Sequence, residues 1–447
     1  MTSQSTTVRR INPWWVGVVA GMASYIDAAA IMSVSTALVI LQRSMDLSNL
    51  QVGAAAGAEA ASIALGAAVG GRIGDRFGRR PVFTAAMAMI LAGMIGIAFA
   101  PSFSLLIVGL IVVGLAIGAD LPVSLATISE AADDHNRGRL IGFTNLLWLA
   151  GIVGNGILAF QFGNEGRAGA QILFLHVAVV AAVVLALRLT LPESQLWLTA
   201  RAERRSGVHT VRADKARVRD LLRAPFAVPF LTLIVFSSLT NLVGNTFGQF
   251  STYLLVTFGG ESVSTAALVS LPALPVILIG MLWFLRIADK PVRFRYFQVG
   301  AFFYVAGPLV NALFGVSAVP MMIATVLNAV GAAFAFEGIA RVWTQEQFPT
   351  LLRSTATGAI LSVARLGAAV LALFTPTLVA AIGVSAFYFM LATLAAVGLG
   401  SAWVVFRTRD RYDEFDVEGD PDGAAAGVRE PRAKLSPRDR IAPVPPS

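Results

Sequence analysis

The feature that most constrains this chain is a succession of long apolar runs, each near the length that crosses a bilayer. A spanning helix needs about 20 predominantly apolar residues at 1.5 Å of rise each. Cutting the 447-residue sequence at charged, Pro- or Gly-marked breaks gives twelve such segments. Six lie near 14–42, 50–72, 81–101, 103–128, 139–162 and 170–191; six more lie near 226–256, 264–287, 295–316, 319–345, 354–381 and 385–407. Composition agrees, with 56% hydrophobic residues, 13% charged residues and a mean hydropathy of +0.73. A soluble domain carries about 25% charge, so a soluble enzyme, a nucleic-acid-binding domain and a disordered scaffold are all excluded. The sequence predicts an all-α membrane protein with twelve transmembrane helices.

Charge placement sets the expected orientation. Arg9 and Arg10 precede an apolar stretch from Trp14 to Leu41 that is about twice the length of a signal-peptide core, and no small-residue cleavage pattern follows it. The first segment therefore reads as a helix whose N-terminus stays in the cytoplasm. With both termini inside, Arg43 and Arg167 fall outside, Arg341 and Arg365 fall within apolar segments, and the remaining 30 of 34 Lys and Arg lie on the cytoplasmic side. That bias orients membrane proteins, and it accounts for a net charge of +8 without a nucleic-acid partner. The organisation read from these breaks is a cytoplasmic N-terminus (1–13), an N-terminal six-helix half (14–198), a basic cytoplasmic linker (199–225), a C-terminal six-helix half (226–407) and a charged tail (408–447). The tail is rich in Pro, Gly and Ala and reads as disordered. Cysteine is absent, which excludes disulfides and thiol chemistry.

The two halves echo each other. Arg72, Asp75 and Arg79 follow the second segment, and Arg286, Asp289 and Arg293 follow the eighth, each displaced by 214 positions. Glu130 and Arg137, seven apart, end the fourth segment; Glu346 and Arg353, also seven apart, end the tenth, displaced by 216. Two pseudo-symmetric halves with matched charges describe a duplicated transporter, whose substrate site is expected at mid-membrane where the halves meet.

The sharpest local signal is Gly71-Arg72-Ile73-Gly74-Asp75-Arg76-Phe77-Gly78-Arg79-Arg80. Its glycines permit a tight turn, and Asp75 offers a carboxylate to the arginines and to a helix N-terminus. This loop resembles the signature between helices two and three of the major facilitator superfamily. Leu191-Pro192-Glu193-Ser194-Gln195-Leu196-Trp197-Leu198 is similar to the element closing the first half of its sugar-porter-like members, and Ile128-Ser129-Glu130…Arg137-Gly138-Arg139 is similar to their link between helices four and five. Glu346-Gln347-Phe348-Pro349-Thr350…Arg353, with Ala364-Arg365-Leu366-Gly367, resembles the niacin, organic-ion and aromatic-acid transporters of that group. The resemblance implies alternating access, with Gly71, Asp75, Arg76, Gly78, Arg79, Arg80, Glu130, Arg137, Glu193, Asp289, Arg293, Glu337, Arg341, Glu346 and Arg353 at the cytoplasmic gate. Three departures stand out. Leu110 occupies the place of the Arg that sugar porters carry early in helix four. Glu337-Gly338…Arg341 replaces their Gly-Pro…Trp element in helix ten. The fifth segment has no proline in Gly151-Ile152-Val153-Gly154-Asn155-Gly156, against a drug/proton antiporter.

Ionisable residues within the spans cost about 2.5–3.5 kcal/mol each on insertion scales, so each needs a reason. Asp27 lies roughly 20 Å into the first segment; it is a proton or substrate ligand, or else a structural carboxylate held by Ser24 or Tyr25. Asp120 precedes Pro122 in the fourth segment, where the resembled porters carry an acid, although local polarity also accompanies a proline kink. Glu59 in the second segment completes the proton-coupling set, with a water-exposed cavity residue as the alternative. Arg365 can clamp a carboxylate through two parallel hydrogen bonds, or pair structurally with an acid. Glu337 and Arg341, four apart, share a helix face and are expected to pair. Asn241, Asn245 and Gln249 form an amide stripe suited to hydroxyl or carboxylate recognition or to helix packing, and Asn241 stands 214 positions from Asp27. Asn145 and Trp148 could complete a pocket; His176 reads as interfacial.

No metal-ligand cluster, phosphate-binding Gly-Lys loop or nucleophile elbow is present. The sequence thus predicts no enzyme, cofactor or metal, and transport driven by gradients. The expectation is a monomeric proton-coupled importer of a small polar metabolite in the cell membrane, with lipid, substrate and protons as its partners. An organic anion is favoured. The alternatives are a sugar or polyol symporter and, more distantly, a drug/proton antiporter or a non-transporting sensor.

Overall fold

Lipid offers no partner to backbone N–H and C=O groups, so apolar runs of this length must satisfy them internally as helices. In the computed structural model, residues 12–133, 135–163, 165–206, 218–261, 265, 268, 269 and 272–410 are described, and every regular element among them is helical. Contacts divide the chain into two units, Met1–Leu198 and Thr199–Ser447.

The first unit holds α1 (Pro13–Ser44), α2 (Asn49–Phe77), α3 (Arg79–Ala98), α4 (Phe103–Ala131), α5 (Arg137–Phe162) and α6 (Arg167–Arg188), and α7 (Gln195–Ser206) begins at its end. The second holds α8 (Ala227–Thr257), α9 (Ala273–Ile287), α10 (Arg293–Phe314), α11 (Ala318–Ala335), α12 (Glu337–Glu346), α13 (Arg353–Ile382) and α14 (Val384–Arg409). Among the described residues, eleven spans are long and apolar enough to cross a membrane, with α11 and α12 counted as one. The remaining expected segment, 264–287, is described as a helix from Ala273 and is apolar but only 15 residues long there.

Local sequence explains the helix ends. Asn12 caps α1 by accepting from the Trp14 N–H at 2.9 Å, with Pro13 in the first helical position. Ser48 and Gln51 form a reciprocal capping box on α2. Packing follows small residues. A Cβ on Gly118 of α4 would stand 2.0 Å from the Ile63 carbonyl oxygen of α2, and one on Gly66 of α2 would stand 2.2 Å from the Leu115 carbonyl oxygen of α4. The two backbones touch, which only glycine permits and which favours tight association in lipid.

One region departs from the sequence reading. The apolar run 319–345 is not one helix: it breaks at Phe336 (φ −130°, ψ −131°) between α11 and α12. Phe336 is apolar and no proline marks the spot, so hydropathy runs straight through it. Its ring leaves the helix to stack on Tyr304, with centroids 5.7 Å apart and planes 24° apart, and Glu337 then occupies the first turn of α12, where a carboxylate suits the helix dipole. The stretch 199–225, polar throughout, carries most of α7 and a 3₁₀ turn at Val218–Leu222; residues 207–217 lie outside the described residues.

Candidate functional site

One residue, Gly78, separates α2 from α3. Its φ of +111° and ψ of 164° lie in a region essentially reserved for glycine. The turn directs Arg79, fully buried, back into the unit. Its Nη1 donates to Asp75 Oδ1 at 2.7 Å and to the Gly74 carbonyl at 2.8 Å; its Nη2 donates to Glu130 Oε1 at 2.7 Å and its Nε to Glu130 Oε2 at 3.3 Å. Glu193 caps the start of α3, accepting from the backbone N–H of Arg79 at 2.9 Å and of Arg80 at 3.2 Å. The buried Trp197 indole donates to the Asp75 carbonyl at 2.9 Å. Gly71 is buried in α2, Arg76 is exposed beside Phe77, and Arg80 donates to the Leu189 carbonyl at 3.0 Å.

The second unit repeats this arrangement with one change of partner. Arg293 donates to Glu346 through both Nη atoms, at 2.9 and 2.7 Å, and through Nε to Asp410 Oδ1 at 2.8 Å. Trp343 donates its indole N–H to the same Asp410 oxygen at 2.7 Å. Asp410, assigned to the tail by the sequence reading, instead stands at the end of α14 in a buried cluster; 411–447 lie outside the described residues. Asp289 is half-buried after α9. Arg137 and Arg353 correspond as well, since each donates through Nε to the carbonyl eight residues earlier, Ser129 at 3.4 Å and Gln345 at 3.1 Å.

Deeper in the first unit lies an ion pair that sequence reasoning missed. Asp120, buried on α4, is gripped by both Nη atoms of Arg188, the last residue of α6; Nη1 meets Oδ1 and Nη2 meets Oδ2 at 2.9 Å. Arg188 is fully buried. It also donates to Ser124 Oγ at 3.0 Å and to the carbonyls of Phe83 and Ala20, both at 3.3 Å, and it lies 5.0 Å from the Phe83 ring centroid. The usable signal was that a buried acid on α4 needs a cation and that Arg188 closes an apolar run. Asp27 is buried on α1 within electrostatic reach of Asp120. Tyr25 turns elsewhere, its hydroxyl meeting His176 Nε2 of α6 at 2.8 Å. Glu59 is buried on α2, and Asn145 and Trp148 are half-buried on α5.

In the second unit, Asn241 and Asn245 are half-buried on α8, and the Asn245 amide turns back to donate to the Asn241 carbonyl at 3.0 Å and to its side-chain oxygen. A Cβ on Gly244 between them would lie 3.1 Å from Phe336 and 3.2 Å from the Tyr304 hydroxyl. Tyr304 donates to the Thr240 carbonyl at 2.7 Å. These two rings pack on the side of α8 that carries Thr240 and Gly244, and neither was singled out from sequence. The side chain of Gln249 lies outside the described residues. Arg341 pairs with Glu337 at 2.9 Å, the former buried, the latter 36% exposed. Arg365 is half-buried on α13.

The family model of the Major Facilitator Superfamily matches residues 16–372. The chain is 31% identical to the minor myo-inositol transporter IolF of Bacillus subtilis (strain 168) over 392 residues, 86% of each chain. It is 26% identical to the inner membrane metabolite transport protein YgcS of Escherichia coli (strain K12), over 85% of this chain and 87% of that one. The fold matches the proton:xylose symporter XylE with a TM-score of 0.73 at 16% identity, covering 88% of this chain and 95% of the other.

Proposed function

The chain belongs to the Major Facilitator Superfamily, and from that premise we propose that it carries a small polyhydroxylated solute, a polyol or sugar, inward together with a proton. It is a multi-pass membrane transporter; solute, coupling and direction are our reading. The observation that carries the solute class is the 31% identity to a myo-inositol transporter, sustained over 86% of both chains. The chemistry beside α8 supports it. Neutral amides both donate and accept, as a ring of hydroxyls requires.

In this reading Asn241, Asn245 and Gln249 recognise hydroxyls, Asn145 and Trp148 serve substrate binding, and Asp27, Asp120 and Glu59 serve proton coupling. The Arg79 and Arg293 clusters, with Arg137, Arg353 and the Glu337–Arg341 pair, latch one end of the alternating-access cycle in the cell membrane, with both termini cytoplasmic. A second reading, an organic anion as solute, is favoured by one observation: Arg365 is a half-buried guanidinium within the apolar helix α13.

Counterflow of radiolabelled myo-inositol into liposomes, competed by polyols, sugars and carboxylates, separates the two. Competition by polyols, with accumulation driven by an acid exterior, supports the proposal. Exchange of a carboxylate but of no polyol or sugar, abolished in Arg365→Ala, establishes the anion reading instead. Polyol flux indifferent to a pH gradient removes the proton.

A further inference from the structure

The linker and the tail carry opposite charge. Residues 199–225 hold eight Lys and Arg against three acids. Residues 413–422 hold six acids, Asp413, Glu414, Asp416, Glu418, Asp420 and Asp422, and no base. Exposed charges are screened beyond about 8–10 Å at physiological salt, so such blocks act on each other only where the fold brings them close. It does so within the second unit, through two adjacent residues after α12. Gln347 donates its side-chain amide to the Arg409 carbonyl at 3.4 Å, at the end of α14. Phe348, fully buried, packs its ring on Phe226 and Phe230, with centroids 6.3 and 6.0 Å apart. Phe226 follows the 3₁₀ turn Val218–Leu222 and joins it to α8, donating its N–H to the Arg223 carbonyl at 2.9 Å. The tail thus leaves the second unit beside the place where the linker enters it.

The turn presents a mixed surface. Asp220 and Leu221 are buried, whereas Arg219 and Arg223 are exposed, as are Val218 (50%) and Leu222 (63%). Two apolar side chains beside two guanidinium groups match the pattern of the tail, where Tyr412, Phe415 and Val417 interleave with the acids. We propose that residues 413–422 of this chain dock on the exposed face of this 3₁₀ turn, pairing their acids with Arg219 and Arg223 and covering Val218 and Leu222. The reach suffices, since ten residues extend to about 33 Å and the path is one ring contact and one short turn. The tether favours the tail over a soluble acidic partner, because a short link supplies an effective concentration in roughly the millimolar range. Exposed ion pairs are individually weak; the apolar contacts and the tether supply the affinity, and the charges select the partner.

The test uses the full chain in phosphatidylcholine liposomes. It contains no cysteine, so spin labels at Val228→Cys on α8 and Ala424→Cys past the acidic segment give one distance by double electron–electron resonance. A free chain of 14 residues beyond Asp410 spreads over about 20 Å, and docking should narrow the distance distribution to about half of that or less. Arg219→Glu with Arg223→Glu should restore the full spread, and adding Glu414→Arg with Glu418→Arg should narrow it again. A distribution as broad as a free chain in the protein with native charges overturns the proposal, and so does a narrow one that ignores both sets of charge changes. Narrowing that is lost once phosphatidylglycerol is added to the vesicles assigns the arginines to acidic lipid headgroups and overturns it as well. If the Arg219→Glu/Arg223→Glu protein does not fold, Glu414→Gln with Asp416→Asn and Glu418→Gln, all placed after α14, decides: broadening supports docking, and an unchanged narrow distribution overturns it.

Discussion

Gly78→Ala should destabilise the first unit, and the structure says by how much and through which partner. An alanine at φ +111°, ψ 164° occupies a backbone region that costs about 1–3 kcal/mol. Its Cβ would also stand 2.3 Å from Glu193 Oε2 and 3.3 Å from the Trp197 ring. The carboxylate must swing away, releasing the N–H groups of Arg79, Arg80 and Ser194. Loss of a helix cap costs about 0.5–2 kcal/mol, so the total is about 1.5–5 kcal/mol. Glu193→Ala alone removes only the cap. The double variant loses that cap once rather than twice, so its cost should fall short of the sum of the singles by about 0.5–2 kcal/mol. Denaturant titration of the detergent-solubilised protein, followed by tryptophan fluorescence, measures all three. A Gly78→Ala protein within about 0.5 kcal/mol of wild type would refute the strain argument, and strict additivity would refute the contact with Glu193.

Three further outcomes are expected. Asp410→Ala withdraws one of two carboxylates from Arg293 and the acceptor of Trp343, and should cost up to about 3 kcal/mol in detergent stability, less than a full buried pair because Glu346 remains; an unchanged melting temperature would contradict the cluster. Tyr304→Phe keeps the stack on Phe336 but loses the hydrogen bond to Thr240, worth about 0.5–1.5 kcal/mol. A melting curve identical to wild type would show that bond to be idle. Gly118→Leu must drive α2 and α4 apart and should sharply reduce the yield of folded protein, whereas Gly96→Leu, whose Cβ meets nothing within 4 Å, should not. Equal yields would dismiss the close approach.

Hydropathy made the spans legible because lipid leaves backbone polar groups one solution, and the repeat made the motif clusters legible because charge is rare in such a chain. What escaped was decided by tertiary contact. Arg188 ends a run that looks like a cytoplasmic flank, and only the fold reveals that its side chain turns inward to Asp120. Asp410 begins a charge-dense stretch whose composition reads as tail, yet it caps α14 and binds Arg293. The break at Phe336 has no local marker; it goes with a stack on Tyr304, a residue of another helix. The amide stripe was visible as a spacing, but not that Asn245 folds back on Asn241 or that two aromatics pack against Gly244 between them in sequence.

The groups that close the two arginine clusters share a position in time. In each unit the closing partners come after the sixth span: Glu193 and Trp197 in the first, Asp410 in the second. A ribosome must therefore deliver an entire half before its cluster can close. The first half can complete its cluster while the second is still being translated, and neither can complete it around an unfinished bundle. A chain cut short before residue 193 or 410 would leave Arg79 or Arg293 without the partner that completes its cluster, an unfinished edge that quality control in the membrane could recognise. For anyone adding a fusion partner, the same logic puts the first safe junction beyond Asp410.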